Sequence, residues 1–366
     1  MTTPPDAVTL DDDELDDEPQ ASPDARSDAP SEAASGRTLG RLSPRGLPSS
    51  GWRVVAAKEF GDHILSVRLF ILLGLLSLFA VGAIYSTAAY VGNNAQAASG
   101  AVGLFVLLFS HSDPNSQVPS FAALVGLLGP LLGIAFGFDA INGERSERTL
   151  PRLMSQPIHR DAVIIGKFVA GLAVMGLILG AITLIVAGVA FFVLGVVPSP
   201  DDVARLGAWF VVTLAYLGFW LAFAMLCSVA VRRAATSVLA AVALWIVLTI
   251  FASLLVGIFA NYLSPVPANP TLDQQVANAE LTDDLARISP GTLYTEATEY
   301  ILDPTVQTVD IAAQVAQASN TGAVPSALPI GQSLALAWPQ VVALLALTVV
   351  CFGLGYIGFM RQEVRA

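Results

Sequence analysis

The chain has 366 residues, of which 54% are hydrophobic, and its mean hydropathy is +0.66. This composition excludes an ordinary soluble domain, and the recurring long apolar stretches are typical of a membrane protein. The formal net charge of −11 is unevenly distributed along the chain, and nothing in it indicates a nucleic-acid partner. The cysteines, Cys227 and Cys351, lie in separate apolar runs, which favours small buried hydrophobes over a disulfide or a metal pair.

Residues 1–50 are predicted to form a disordered acidic tail, because a run of Asp and Glu is followed by Pro, Ala, Ser and Asp with little to bury. The segment has neither the basic start nor the apolar core of a signal peptide. It could be an interaction tail, but a solvated tail in a salt-adapted protein is the favoured interpretation. Sixteen arginines against two lysines agree with such a halophile-like composition.

Residues 51–68 are predicted to form an amphipathic helix that lies along the cytoplasmic membrane interface. At helical spacing, one stripe contains Ala56, Phe60, Ile64 and Val67. The charged residues Lys58, Glu59 and Asp62 are expected on the opposite, solvated face. The alternative is a charged lead-in to the first span without a surface role.

Six runs are long enough to cross a bilayer, which requires roughly 20 apolar residues. They are Leu69–Tyr90, Phe121–Ile141, Phe168–Val197, Ala208–Val231, Ala234–Leu263 and Trp338–Met360. Ala101–Ser110 is apolar but too short, so it is expected to pack at the outer surface or to dip into the membrane. The cations then fall mainly in one set of connecting segments, which predicts that both termini are cytoplasmic.

The chain is therefore predicted to be an all-α membrane protein of the cell membrane, in contact with the lipid bilayer. Residues 69–263 contain five spans, 264–337 form an extracytoplasmic helical region, and 338–366 contain the last span and a cytoplasmic tail. Helical patches are expected at Leu272–Ile288 and Leu293–Leu302. The acidic side chains of this region could form a ligand-catching cap, but a plain solvated face is the favoured interpretation.

The sequence lacks the phosphate-binding loop, the HExxH motif and the GxSxG motif, so we expect no enzyme activity, no bound cofactor and no metal site in this chain. Asp139, near the inner end of the second span, is the one candidate intramembrane charge. It could be an ion site, but the favoured interpretation pairs it with Arg145 or another cation of the following loop. Gly129, Gly133 and Gly137 recur on one face of the same span and predict close helix packing, a dimer contact or the wall of a pathway.

The loop 142–167 between the second and third spans is basic and reads NGERSERTLPRLMSQPIHRDAVIIGK. Pro151 and Pro157 bracket a segment that can hold a turn or two of helix. A basic loop of this kind is suited to docking a soluble partner.

This loop closely resembles the first cytoplasmic loop of type-2 ATP-binding-cassette (ABC) exporter permeases. The residues that match the family pattern are Glu144, Arg145, Thr149, Leu150, Leu153, Pro157, Ile158, Arg160, Gly166 and Lys167. Two positions depart from the pattern: Arg148 replaces a usual glycine, and Pro151 stands where leucine-like residues are common. Ala56–Arg68 is also similar to the Lys-Glu-Phe lead-in of the subgroup that includes the copper-processing permease of nitrous-oxide reductase maturation.

The resemblance implies a permease subunit that pairs with a second permease copy, identical or related, and binds ATPase subunits on the cytoplasmic side. The short helix of the loop would dock on the ATPase, and ATP and Mg²⁺ would be bound by that partner. Two other classes remain open: an ion-coupled secondary carrier, and a membrane anchor that recruits an enzyme complex without transporting anything.

Overall fold

The computed structural model describes residues 51–93, 103–110, 118–146, 159–192, 195–267, 269–306, 308 and 327–361. Helices account for nearly all of the secondary structure in these ranges, and no strand occurs among them. The helices are α1 (Gly51–Ile64), α2 (Val67–Asn93), α3 (Leu104–Ser110), α4 (Phe121–Gly137), α5 (Asn142–Ser146), α6 (Arg160–Phe192), α7 (Pro200–Ala230), α8 (Ala234–Ile246), α9 (Ala252–Leu263), α10 (Leu272–Ala286), α11 (Pro290–Leu302) and α12 (Ile330–Arg361). A π-helical turn, Val247–Phe251, joins α8 to α9.

Six helical segments within the described residues are long and apolar enough to cross a membrane, as the sequence predicts. They are α2, α4 with α5, α6, α7, the α8–α9 pair and α12. The short apolar run near residue 105 is the separate helix α3, whose residues Phe105, Val106, Leu108 and Phe109 are buried in the bundle. It therefore packs as an inserted segment beside the spans.

Three spans begin earlier in the chain than the apolar runs predict. α6 begins at Arg160 and α12 at Ile330, well before the predicted Phe168 and Trp338. α7 begins at Pro200, where Ser199 and Asp202 form a reciprocal capping box that satisfies the first backbone N–H groups. Charged and polar residues near these ends have partners in the protein, so the helices continue past the apolar runs.

The core of the bundle lies around α7, which is mostly buried and packs against α4, α6, α11 and α12. Gly129, Gly133 and Gly137 all face this helix. A Cβ atom added at Gly133 would lie 2.7 Å from Trp220 Cβ and 2.8 Å from Leu221 N. The glycine stripe therefore allows the α4 backbone to approach α7 within this chain.

Pro130 lies inside α4 and cannot donate a backbone hydrogen bond to the carbonyl of Gly126. Tyr216 of α7 supplies the missing donor, with its hydroxyl 3.0 Å from Gly126 O. A polar group that the proline leaves free is thus satisfied from the neighbouring helix.

The observed buried face of α1 overlaps the expected one in part, because Phe60 and Ile64 of the predicted stripe pack against the core. Val55 and Glu59 are its buried residues, and α1 packs along the start of α6. Val67, expected on the apolar stripe, belongs to α2 and is exposed. The expectation that Glu59 is solvated was wrong, because this carboxylate has a cationic partner on α6. Whether α1 lies along a membrane surface stays a prediction.

The region 264–337 also differs from a plain solvated face. α11 inserts one side into the bundle, where Leu293, Tyr294, Ala297 and Ile301 are buried. Tyr294 stacks on Tyr216 of α7 with ring centroids 4.5 Å apart. Aromatic packing therefore fastens this helix to the spans.

Arg205, near the start of α7, is 1% exposed and connects this region to the bundle. Its guanidinium donates to Asp201 Oδ2 at 2.7 Å, to the carbonyl oxygens of Ile301 and Leu328, and to Ser333 Oγ at 3.1 Å. One buried cation thus holds the ends of α7, α11 and α12 together.

Candidate coupling site

The loop 142–167 is described at its two flanks. α5 (Asn142–Ser146) precedes the central part of the loop, and α6 begins at Arg160. The predicted docking residues Thr149, Leu150, Leu153, Pro157 and Ile158 lie outside the described residues. Arg145 is half-buried on α5, and Arg160 is half-buried at the first position of α6, so these cations stand on either side of the undescribed segment.

The two flanks are joined by an ion pair. Lys167 Nζ on α6 lies 2.8 Å from Glu144 Oε1 on α5. The Lys167 side chain is 7% exposed and that of Glu144 is 14% exposed, so water screens this contact weakly. The pair closes the base of the loop.

Lys167 also binds the helix that precedes the first span. Its Nζ lies 3.0 Å from Glu59 Oε2, and the exposed Lys58 Nζ lies 3.3 Å from Glu59 Oε1. One buried ammonium thus bridges a carboxylate of α1 and a carboxylate of α5. This three-residue arrangement, Glu59–Lys167–Glu144, is called the ion-pair bridge below.

The bridge determines the charge of Glu59. Burial opposes ionisation of this carboxyl, but the attraction of Lys167, and then of Lys58, outweighs it and lowers the pKa of Glu59 below its ordinary value. Glu59 is therefore ionised at neutral pH, and the bridge contains two carboxylates around one buried ammonium.

Gly166 brings the backbones of α1 and α6 into contact beside the bridge. A Cβ atom at this position would lie 2.7 Å from Val55 Cβ and 2.9 Å from Trp52 O. A side chain there would push α1 away from α6 and lengthen the Lys167–Glu59 pair. Gly166 and Lys167, matched to the family pattern as the opening of the third span, thus lie within α6 and form its contact with α1.

The start of the loop is fixed to α7. Ser228 Oγ accepts hydrogen bonds from the backbone N–H groups of Ile141 and Asn142, both at 3.1 Å. These groups stand at the start of α5, where the first backbone N–H groups have no helical acceptor. The buried hydroxyl of Ser228 therefore joins the first residues of the loop to the central helix of the bundle.

Asp139 is paired, but with a different cation from the one expected. Arg68, at the start of α2, places Nη1 2.6 Å from Asp139 Oδ2, and its guanidinium stacks over the Phe138 ring at 5.2 Å. Neither Arg145 nor another loop cation makes this contact in the described part of the chain. Arg68 is better placed because α2 packs beside α4.

Chemically, the site is an assembly of ion pairs and backbone contacts that connects four helices to the base of one loop. In the described ranges, no group of three His, Cys, Asp or Glu side chains could hold a metal ion. Sequence reasoning missed Glu59, Arg68 and Ser228 as members. The only available signal was the likeness of the segment containing Glu59 to the Lys-Glu-Phe lead-in.

A bundle of six candidate spans, with a charged loop tied at its base to several helices, is the architecture of a multi-pass membrane protein. Residues 53–364 match the model of the ABC-2 family transporter proteins. The chain belongs to this family, and it is a multi-pass protein of the plasma membrane.

Two curated relatives bear the name probable ABC transporter permease protein NosY. The protein of Pseudomonas aeruginosa is 31% identical over 156 residues, which cover 42% of this chain and 50% of the relative. The protein of Stutzerimonas stutzeri is 29% identical over 196 residues, which cover 52% of this chain and 64% of the relative. The matches therefore span less than two thirds of either relative. The family expected from the loop is confirmed, and the NosY relatives agree with the subgroup indicated by the Lys-Glu-Phe segment.

Proposed function

We propose that this chain is the membrane-spanning permease subunit of an ABC exporter, driven by ATP that a separate ATPase subunit hydrolyses. Family membership supports the general assignment. The observation that carries the mechanism is the ion-pair bridge, which ties the base of the loop 142–167 to α1, α5 and α6.

In this proposal, the ATPase docks on the loop segment between Arg145 and Arg160. Leu150, Leu153 and Ile158 supply apolar anchors, and the surrounding arginines form a polar rim. Because Lys167 binds both Glu144 and Glu59, a force on the loop would reach α6 and α1 together. Because Ser228 holds the start of the loop, the same force would reach α7.

The sequence contains no phosphate-binding loop, which supports a separate ATPase subunit as the source of energy. ATP and Mg²⁺ are therefore assigned to the partner subunit. A second permease copy completes the transporter, and the largely exposed apolar faces of α9 and α12 are available to that copy and to lipid.

An ion-coupled carrier receives less support from the charges in the described part of the chain. Asp139, the candidate intramembrane carboxylate, is paired with Arg68 near the loop end of α4. An ion pair at the end of a span stabilises the helix contacts and needs no transported ion.

The experiment that tests the proposal compares Leu153→Asp with the matched control Gln156→Asp. Both add one negative charge to the loop, but only the first places it at a predicted apolar anchor. Burying an unpaired charge costs several kcal/mol, so Leu153→Asp should reduce ATPase co-purification by about a hundredfold at equal permease abundance. Gln156→Asp should reduce it much less.

Equal recovery of the ATPase with both variants and with the unmodified chain would refute docking at this loop. A membrane anchor for an enzyme complex would show the same co-purification loss without ATP-dependent transport in reconstituted vesicles. Transport measurements on the purified pair therefore separate the two roles.

A further inference from the structure

A cavity of about 650 Å³ lies at the end of the bundle away from the loop 142–167. It is bounded by α3, α4, α7, the π-helical turn, α9 and α11. Its volume falls within the range of roughly 300–1,000 Å³ that is usual for small-molecule sites. The exposed lining residues Thr295 and Glu299 make it reachable from outside the protein.

The lining has a definite chemical character. Leu107, Leu127 and Val256 provide apolar walls, and hydroxyl groups alternate with them, including those of Ser120, Ser289 and Thr298. Thr298 is 7% exposed, and its hydroxyl lies beside that of Tyr294. A hydroxyl can donate one hydrogen bond and accept others, so this group keeps capacity for a ligand or water in the cavity.

The charge of the lining is negative. Glu299 and Asp303 are its carboxylates, and no Lys, Arg or His occurs among the described residues that line the cavity. Thr305 donates to Asp303 Oδ1 from its backbone N–H at 2.8 Å and from its hydroxyl at 2.6 Å, which fixes this carboxylate. Glu296 lies on the same helix, but its carboxylate already accepts hydrogen bonds from Arg287 and Gln340.

The pKa of Glu299 reflects this excess of negative charge. Partial burial, together with the like charges of Glu296 and Asp303, raises the pKa of Glu299 above its ordinary value. A positive charge placed between Glu299 and Asp303 would relieve that repulsion.

One wall of the cavity is the irregular part of the fifth span. The π-helical turn Val247–Phe251 contributes Leu248 and Thr249 to the lining. Ser289 Oγ donates to Leu248 O at 3.0 Å, so α11 is attached directly to this turn. π-helical turns inside α-helices frequently occur at functional sites, where they open space beside the helix.

We propose that this cavity binds an organic cation, with its apolar body against the leucine and valine walls and its charge between Glu299 and Asp303. A metal ion fits less well, because no group of three metal-ligating side chains occurs among the described residues. The site goes beyond ATPase coupling, and binding can be measured on the isolated chain, so it stands or falls separately from the proposed permease role.

The test uses the full chain, purified in a non-ionic detergent, and the fluorescent cation ethidium as the probe, followed by anisotropy. Unlabelled tetraphenylphosphonium should displace ethidium, and tetraphenylborate, which has the same shape and the opposite charge, should not. Displacement by both ions to the same extent would overturn the requirement for positive charge.

Variants locate the binding. Glu299→Gln and Asp303→Asn should each weaken ethidium binding by about fivefold, as expected for a partly exposed ion pair, and together by more. Asp303→Asn keeps an oxygen acceptor for Thr305. Thr292→Trp should fill the cavity and abolish binding, whereas Glu280→Gln, an exposed acid of α10 outside the cavity, should leave binding unchanged.

Unchanged ethidium binding in the double carboxylate variant and in Thr292→Trp would refute the site, provided that both elute as the unmodified chain does in gel filtration. The cation could be carried by a soluble amine or by a choline lipid headgroup. Short-chain phosphatidylcholine, compared with short-chain phosphatidylglycerol, distinguishes the two: displacement by the former alone assigns a headgroup, and displacement by neither assigns a soluble cation.

Discussion

Lys167 and Glu144 lie on opposite sides of the loop 142–167 and form an ion pair with Nζ and Oε1 2.8 Å apart. The pair is shielded from water and shares its ammonium with Glu59. The same ammonium group therefore neutralises both carboxylates. Removing that side chain leaves two like charges together in a largely buried place.

Lys167→Met should destabilise the protein by about 3 kcal/mol, because breaking a buried ion pair leaves uncompensated charge. The matched control is Lys58→Met. Lys58 also contacts Glu59 and Asp62, but its side chain is 59% exposed, and exposed pairs contribute about 0–1 kcal/mol. Thermal unfolding of the two purified variants in the same detergent gives the comparison. Equal losses would show that the bridge is no stronger than a surface pair.

The stability of the folded protein should fall in two steps as the pH falls, because two groups on α1 become protonated. Burial lowers the pKa of His63 below its ordinary 6.5, and Lys167 lowers the pKa of Glu59 below its ordinary 4.5, against the opposing effect of burial. Between its folded and its ordinary pKa, each group binds more protons in the unfolded chain than in the folded one. The contribution of each group to stability is therefore complete above its ordinary pKa, and it is lost as the pH falls through the lower pKa of the folded state.

Melting temperatures measured from about pH 8 to pH 4 check this expectation. His63→Phe should remove the step that begins below about pH 6.5, and Glu59→Gln should remove the one that begins below about pH 4.5. A melting temperature that rises on acidification in the unmodified chain would contradict both assignments.

Gly133→Ala should destabilise the bundle, because its Cβ would lie 2.7 Å from Trp220 Cβ and 2.8 Å from the backbone of Leu221. Overpacking of this kind costs about 1–3 kcal/mol. Gly82→Ala on α2 is the matched control, since a Cβ there meets nothing within 4 Å and alanine is the better helix former. A melting temperature unchanged by Gly133→Ala would mean that α4 and α7 can separate freely.

The predicted topology can be tested with single cysteines in a chain lacking Cys227 and Cys351. Val197, Asn269 and Ser146 are exposed. An impermeant thiol reagent added to intact cells should label cysteines at Val197 and Asn269, and it should not label one at Ser146, because the cations collect on the inner side. Labelling at Ser146 from outside would reverse the orientation and remove the loop from the reach of a cytoplasmic ATPase.

The number of spans could be predicted from the sequence because the length of an apolar run is a local property. Ala234–Leu263 has the predicted bounds, apart from the π-helical turn inside it. The early start of α6 could not be predicted, because Lys167 ends the apolar run in the sequence. Inside the protein its charge is matched by Glu59 and Glu144, so the helix continues through it.

The same reason explains the misjudged polar residues. Glu59 was expected in solvent, and nothing in the sequence indicated that Arg205 is buried. Each is buried because its partners come from distant parts of the chain: Lys167 for Glu59, and Ile301, Leu328 and Ser333 for Arg205. Periodicity records which residues share a face, but it carries no information on which distant group will neutralise a charge.

The two polar attachments of α7 have a joint consequence. Ser228, near one end, holds the backbone that leads into the loop, and Arg205, near the other, holds the ends of α11 and α12. At 1.5 Å per residue these attachments are about 35 Å apart along the helix. Because α7 is one continuous helix between these attachments, a shift along its axis at the Ser228 end would be carried toward the Arg205 end. The central helix of the bundle thus connects the loop end of the protein to the opposite end. The cavity lies beside Tyr216, between these two attachments.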